Sequence, residues 1–255
     1  MFQVIQGQSR YELQQQILLN LNGLEINSTN RFGNVDALGN VSSIISVSHP
    51  NFGESVQQGT LGAQPNLIVN HFGTGKNAIL FNGINDYLIK VNTSFKPDWN
   101  EEFWIAGKFK SNGSINKVLT TIGEGAIGAK MFRIQFDASN KLTFVLGTQN
   151  NSIKTIRTTT FYNDNLEHDY ICHWKGTDNI ADAKIYIDGS LASTTTTSSG
   201  SFVGSSFYSG TLSINLYFGV RHDVNAYWNG YLGKHIYGLK EPNVEAIFNS
   251  LNSAI

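Results

Sequence analysis

Phe132-Arg133-Ile134-Gln135-Phe136-Asp137-Ala138-Ser139-Asn140-Lys141-Leu142-Thr143-Phe144-Val145-Leu146 decides the fold class. Phe132, Ile134 and Phe136 alternate with Arg133, Gln135 and Asp137, and Leu142, Phe144 and Leu146 alternate with Thr143 and Val145. Successive side chains of a strand point to opposite faces, so each half gathers one apolar face. Ala138-Ser139-Asn140-Lys141 supplies a short turn between the halves. The same period of two spreads outward in both directions. Upstream, Phe103, Ile105 and Phe109 alternate with Trp104, Ala106 and Lys108. Further upstream, Ile79-Leu80-Phe81 runs into Asn82-Gly83, a strong turn signal, ahead of Tyr87-Leu88-Ile89-Lys90-Val91. Downstream, Tyr170, Cys172 and Trp174 share a face, and Ile185 and Ile187 precede a turn at Asp188-Gly189. Leu212, Ile214, Leu216 and Phe218 alternate with Ser213, Asn215 and Tyr217. Strands with one apolar face bury it by packing sheet on sheet. The expectation is an all-β jelly-roll sandwich of two antiparallel sheets.

The two ends read differently. Ser9-Arg10-Tyr11-Glu12 has the form of a capping box, and Leu13, Ile17 and Leu21 follow at helical spacing before Gly23. This predicts a short N-terminal helix up to about Gln16, with a strand through Ile17–Leu21 as the competing reading. Residues 27–66 are rich in Asn, Ser and Gly and predict an irregular stretch with one or two short strands. Pro242 fits the first turn of a C-terminal helix whose Val244, Ile247, Phe248 and Leu251 share a face. Thr194 to Thr197 reads as a strand end before a loop. The chain divides into an N-terminal docking segment, 1–24, and a sandwich domain, 25–255.

Composition excludes several classes. The 255 residues carry a formal charge of −1 and only 15% charged residues, a poor match to a nucleic-acid binder that works by neutralising phosphate. More than a third of the chain is Asn, Ser, Thr or Gly, which suits many strands and turns. One cysteine, Cys172, excludes an internal disulfide and a cysteine-based zinc site. No apolar run approaches the ~20 residues of a membrane helix. Met1 to Gln8 lacks the basic-then-apolar layout of a secretory signal, so either synthesis in a cytoplasm or a signal already removed is expected.

Four segments, in this order, resemble the concanavalin A-like lectin/glucanase superfamily, and within it the laminin-G-like domains of bacterial surface proteins and phage structural proteins. The first is Gly75-Lys76-Asn77-Ala78-Ile79-Leu80-Phe81-Asn82-Gly83-Ile84-Asn85-Asp86-Tyr87-Leu88, preceded by Val41 to Gly53 and Gln64-Pro65-Asn66-Leu67. Phe103-Trp104-Ile105-Ala106 is similar to the core strand that follows. His168 to Gly176 with Lys184-Ile185-Tyr186-Ile187-Asp188-Gly189 resembles the paired strands after it. Trp228-Asn229-Gly230-Tyr231-Leu232-Gly233 resembles the closing strand before the terminal helix. Lys234 and His235 stand where members often carry an acid. The Glu-x-Asp-x-x-Glu strand of the glucanase branch is absent, and no strand sets two carboxylates on one face as glycoside hydrolysis requires. No catalytic residue is assigned.

No metal site is assigned either. Many relatives bind calcium, and Asp178, Asp182, Asp188 and Asp223 lie in turns, but no Asp-x-Asp-x-Asp-Gly array is present. The resemblance gives His168 a structural role, and Cys172 reads as a small buried residue. Sugar binding needs an aromatic surface beside hydrogen-bonding groups. Arg221, Asp223, Asn225, Tyr227 and Trp228 offer both in one loop, with Trp228 as a plug of the sandwich edge as the competing reading. Trp104, Tyr186 and Tyr217 point away from the core, and Trp104 joins the candidate set. The resemblance implies a non-enzymatic phage virion component, made in the host cytoplasm, that forms a homo-oligomer with other virion proteins as partners. Its lectin-like domain then meets host-surface polysaccharide. The alternative is a carbohydrate-binding module or adhesin at a bacterial surface, and a third reading is a glycoside hydrolase. Nucleic acid, membrane insertion and a cofactor are not expected.

Overall fold

The structure, a computed structural model, describes residues 16–19, 28–30, 33–45, 55–93, 95–113, 117–124, 131–208, 213–221, 223 and 225–253. Five short strands come first: β1 (Gln16–Leu19), β2 (Ser28–Asn30), β3 (Gly33–Val35), β4 (Val41–Ile45) and β5 (Ser55–Gln57). Then follow β6 (Asn66–Ile68), β7 (Ala78–Asn82), β8 (Leu88–Lys90), β9 (Phe103–Ser111) and β10 (Val118–Glu124). The hairpin of Phe132 to Leu146 is β11 (Met131–Phe136) and β12 (Leu142–Gly147). After it come β13 (Ile153–Thr158), β14 (Glu167–Trp174), β15 (Lys184–Ile187), β16 (Ser190–Leu191) and β17 (Thr194–Ser199). β18 (Ile214–Phe218), β19 (Asn229–Leu239) and helix α1 (Val244–Asn252) end the chain.

Among the described residues these strands form two antiparallel sheets. Sheet one has eight strands in the order β16-β15-β14-β9-β19-β7-β6, with β1 continuing the β7 row along β19. Sheet two has eleven, in the order β17-β13-β12-β11-β10-β18-β8-β5-β4-β3-β2. The apolar faces meet as the alternation demands. Phe103 of β9 lies 4.8 Å from Phe132 of β11, ring centre to ring centre, and Phe109 lies 5.5 Å from Phe136. Each fully buried phenylalanine stabilises the sandwich by about 1.5–3 kcal/mol.

The turn at Asn82-Gly83 does not close a hairpin. β7 belongs to sheet one and β8 to sheet two, so the turn carries the chain across the sandwich. Asparagine explains much of the turn chemistry, since Asn70, Asn92, Asn140, Asn151 and Asn165 all take positive φ. Its short amide tolerates the left-handed region and bonds to nearby backbone.

Three expectations change. Ile17 lies in β1, paired with Ile236 of β19, so the helical spacing of Leu13, Ile17 and Leu21 yields to the strand reading there. The helix expected over 9–15 lies outside the described residues. Among the described residues of 27–66 there are four short strands, β2 to β5, rather than one or two. Finally, Pro242 sits just before the cap of α1. Asn243 is the cap, its side chain accepting from the Ala246 N–H at 3.1 Å.

Helix α1 covers the outer face of sheet one. Ile247, Phe248 and Leu251 pack on Trp104, Ala106, Ile171 and Ile236. Lys234 reaches from β19 to the Ser250 carbonyl at 3.0 Å and ties the helix down. Among the described residues the outer face of sheet two carries no such helix, and that difference positions the candidate site.

Candidate functional site

Pairing sets Thr197, Thr155, Val145, Arg133, Thr121, Tyr217 and Ile89 opposite one another across β17, β13, β12, β11, β10, β18 and β8. Cross-strand partners share a face, so this row lies on the side of sheet two away from the core. A second row, Thr195, Arg157, Thr143 and Gln135, runs beside it. Over β17, β13, β12 and β11 the two rows floor a groove of about 260 Å³, with Ile153 and Asp137 completing its lining.

The floor mixes hydrogen-bonding groups with aliphatic carbon. Arg157, with 43% of its side chain exposed, donates from Nε to Thr195 Oγ1 at 3.1 Å and reaches Asp137 Oδ2 from Nη1 at 3.5 Å. Asp137 is held from behind by the Ser139 and Lys141 N–H groups, at 2.8 and 3.1 Å. Thr143, Thr155, Thr195 and Thr197 add hydroxyls that both donate and accept.

The segment between β18 and β19 forms a wall beside this floor. The Val220 carbonyl accepts from Thr121 Oγ1 at 3.3 Å, which lays the segment over Thr121 and Tyr217. Both are buried although they sit on an outer face. Arg221 then grips Asp223 with two bonds, Nε to Oδ1 at 2.7 Å and Nη2 to Oδ2 at 2.6 Å. This bidentate bond raises the Arg221 pKa. Asn225 Nδ2 donates to the same Asp223 Oδ2 at 2.8 Å. Burial lowers the pKa of Arg133 to about 10; the nearby Arg221 charge adds to that and Asp223 opposes it. The wall therefore stands close enough to the floor for their charges to act on each other.

Tyr227, further along the wall, is partly exposed, and its ring lies 6.5 Å from that of Tyr87 at 47°. Burial raises the Tyr227 pKa, and neighbouring Tyr87 raises it further.

Of the loop residues singled out in the sequence, Arg221, Asp223 and Asn225 are joined by hydrogen bonds, whereas Tyr227 meets Tyr87 instead. It removes the two tryptophans. Trp228 is 0% exposed, stacked on Phe136 at 5.8 Å and edge-on to Phe109 at 6.3 Å, so it plugs the sandwich. Trp104 is 3% exposed beneath α1, against Gly238, its partner on β19. A Cβ at Gly238 would fall 2.4 Å from that indole. Tyr186 packs beside the same helix, and Tyr217 lies under the wall.

The floor residues Arg133, Gln135, Thr155, Arg157 and Thr195, and the partner tyrosine Tyr87, were missed from sequence. Their signal was the polar half of each alternation.

Among the described residues no three His, Cys, Asp or Glu converge to hold a metal. The turn aspartates have other work. Asp178 pairs with Lys154 at 2.7 Å, Asp182 accepts from the Thr177 hydroxyl at 2.8 Å, and Asp188 meets His168 Nδ1 at 2.7 Å. His168 also meets Asp164 at 3.2 Å and ties two loops together.

No protein-family model and no curated protein matches the chain. Solved structures do. The binding domain of botulinum neurotoxin DC, solved with rat synaptotagmin II, is 17% identical with a TM-score of 0.56, over 94% of this chain and 52% of that one. The binding domain of Paraclostridial Mosquitocidal Protein 1 is 14% identical with a TM-score of 0.50, over 92% and 52%. Domain 4 of AbnA, a GH43 extracellular arabinanase from Geobacillus stearothermophilus solved with arabinotriose, is 12% identical with a TM-score of 0.50, over 76% and 82%. This chain spans about half the length of the two toxin binding domains. At these identities the likeness is one of fold: the chain is a β-sandwich of the kind found in these binding domains.

Proposed function

We propose that this chain is a non-enzymatic carbohydrate-binding module of an extracellular or surface protein, binding sugar in the groove on the outer face of sheet two. The groove floor carries the reading. Hydroxyls, amide and guanidinium groups alternate there with the aliphatic carbon of Val145 and Ile153, matching the hydroxyl edges and C–H faces of a sugar ring. The arabinotriose bound to domain 4 of AbnA supports it through the shared sandwich. Asp137 is the one carboxylate among the described groove residues, and it already accepts two backbone N–H groups. The groove thus lacks the facing pair of acids that glycoside hydrolysis uses, which favours binding over cleavage.

The order of the four sequence motifs resembles that of laminin-G-like domains, a likeness that fits a binding sandwich. Nothing in the groove calls for a phage virion, its partner proteins or a homo-oligomer. The carbohydrate-binding module or adhesin is the better reading. Affinity electrophoresis on arabinan, β-glucan, xylan, mannan and galactan gels, with and without EDTA, tests it. Expected is retardation on at least one gel, lost in Arg157→Ala and insensitive to EDTA. A folded protein that no gel retards overturns the proposal.

A further inference from the structure

The groove and the tyrosine pair lie along one path over sheet two. The groove starts at β17, the edge strand, and reaches Arg133 on β11. Val220, whose carbonyl accepts from Thr121, the cross-strand partner of Arg133, leads into Arg221 and Asp223, with Asn225 bonded to Asp223. Tyr227 follows on the same segment and meets Tyr87, which precedes β8. From β17 to β8 the path crosses six interstrand steps, about 30 Å at the usual strand spacing. Arg133, Arg221, Asp223, Tyr227 and Tyr87 are all partly exposed along it, and Asn225 is exposed. A single terminal sugar needs far less length than this, and it needs no second group of contacts beyond a charged wall.

Chemistry changes along the path in a way that suits a chain. The β17 end offers hydrogen bonds from threonines and Arg157, whereas the β8 end offers two tyrosine rings with hydroxyls. An aromatic ring takes the C–H face of a sugar, and its hydroxyl reaches the ring's edge. We propose that the protein binds an internal segment of an extended polysaccharide laid across the strands of sheet two, with Tyr87 and Tyr227 as a second subsite. This rests on the carbohydrate-binding reading above and adds the length and direction of the ligand.

Calorimetry with linear arabino-, xylo-, cello- and manno-oligosaccharides, from dimer to octamer, tests it on the intact protein. Affinity is expected to rise with length and level off only at the longest members. Tyr87→Ala and Tyr227→Ala are each expected to weaken the longest oligomers roughly tenfold while leaving the shortest bound as before. Tyr227→Phe, which keeps the ring, is expected to retain most of the affinity. Both tyrosines are partly exposed, and an unchanged melting temperature in the variants shows that the fold is intact. Equal affinity from the shortest binding oligomer upward, with the tyrosine variants indistinguishable from the parent, overturns the extended site and leaves a single-sugar groove. No binding to any oligomer or any polysaccharide gel overturns both readings.

Discussion

Trp228 and Tyr227 are adjacent, yet the sandwich spends one and offers the other. Trp228 shares its face with Gly230 and Leu232 at the start of β19, so alternation turns it inward against Phe136. Trp228→Ala leaves a large cavity and is expected to cost about 3–5 kcal/mol in urea unfolding. Tyr227→Ala, at a partly exposed wall position, is expected to stay within about 1 kcal/mol of the parent. Loss of sugar binding in Trp228→Ala alone therefore reports unfolding, not contact. Asp86 is the second informative residue. It is 4% exposed, accepts the Asn82 N–H at 2.9 Å, and burial raises its pKa to about 6. The folded state then holds a proton that the unfolded state releases near pH 4, so this group's contribution to stability falls as pH rises from about 4 to about 6. Asp86→Asn keeps an acceptor for Asn82 and removes the charge. Melting curves across this range should show the variant gaining on the parent as pH rises, reaching a constant advantage above about pH 6. A constant difference at every pH refutes the assignment.

At the scale of elements, most of the sandwich was legible because burial enforces the period of two. β9, β11, β12, β14, β15 and β18 all stand where alternation placed them, and α1 buries the face its spacing marked. Three-residue strands such as β2 and β3 carry too few alternations to show a period, and they hold their places by pairing with the next strand along the chain, β2 with β3 and β3 with β4. Which outer face the terminal helix covers was not legible either. It depends on α1 docking on sheet one, where Trp104 lies against Gly238 across a register that no local pattern reveals. Ile247 is fully buried in that contact. Ile247→Ala is expected to cost about 2–4 kcal/mol. Ile247→Asp buries a carboxylate among apolar groups and is expected to free the helix, exposing Trp104 and shifting its fluorescence to the red. An unshifted spectrum in a folded Ile247→Asp protein would contradict the packing described for α1.

For the molecule as a whole, the candidate site was half visible. The loop from Arg221 to Tyr227 stood out because its polar and aromatic residues are contiguous. The floor did not, because Arg133, Gln135, Thr155 and Arg157 come from separate strands and meet only through register. The same long-range assembly creates a buried group whose titration is global. A bulge between Leu232 and His235 shifts the face of β19, so both residues point into the core. The His235 ring then fills the space over Gly107, its partner on β9, where a Cβ would fall 2.5 Å from the ring. His235 Nδ1 donates to the Gly233 carbonyl at 2.9 Å, and burial lowers its pKa to about 4 despite that bond. The unfolded chain, with an ordinary histidine, binds a proton near pH 6.5 that the folded chain refuses until about pH 4. Stability from this group is therefore complete above pH 6.5 and lost as pH falls toward 4, by about 3 kcal/mol in all. His235 lies between both sheets, beside Tyr170 of sheet one and Phe218 of sheet two, so its protonation opposes closure of the whole sandwich. In urea unfolding, His235→Leu is expected to be less stable than the parent at pH 7.5, because the imidazole hydrogen bond and ring packing are gone. The gap should narrow as pH falls from 6.5 to 4, because only the parent carries this acid penalty. A gap that stays constant with pH would show that His235 titrates normally and does not sit where the two sheets close.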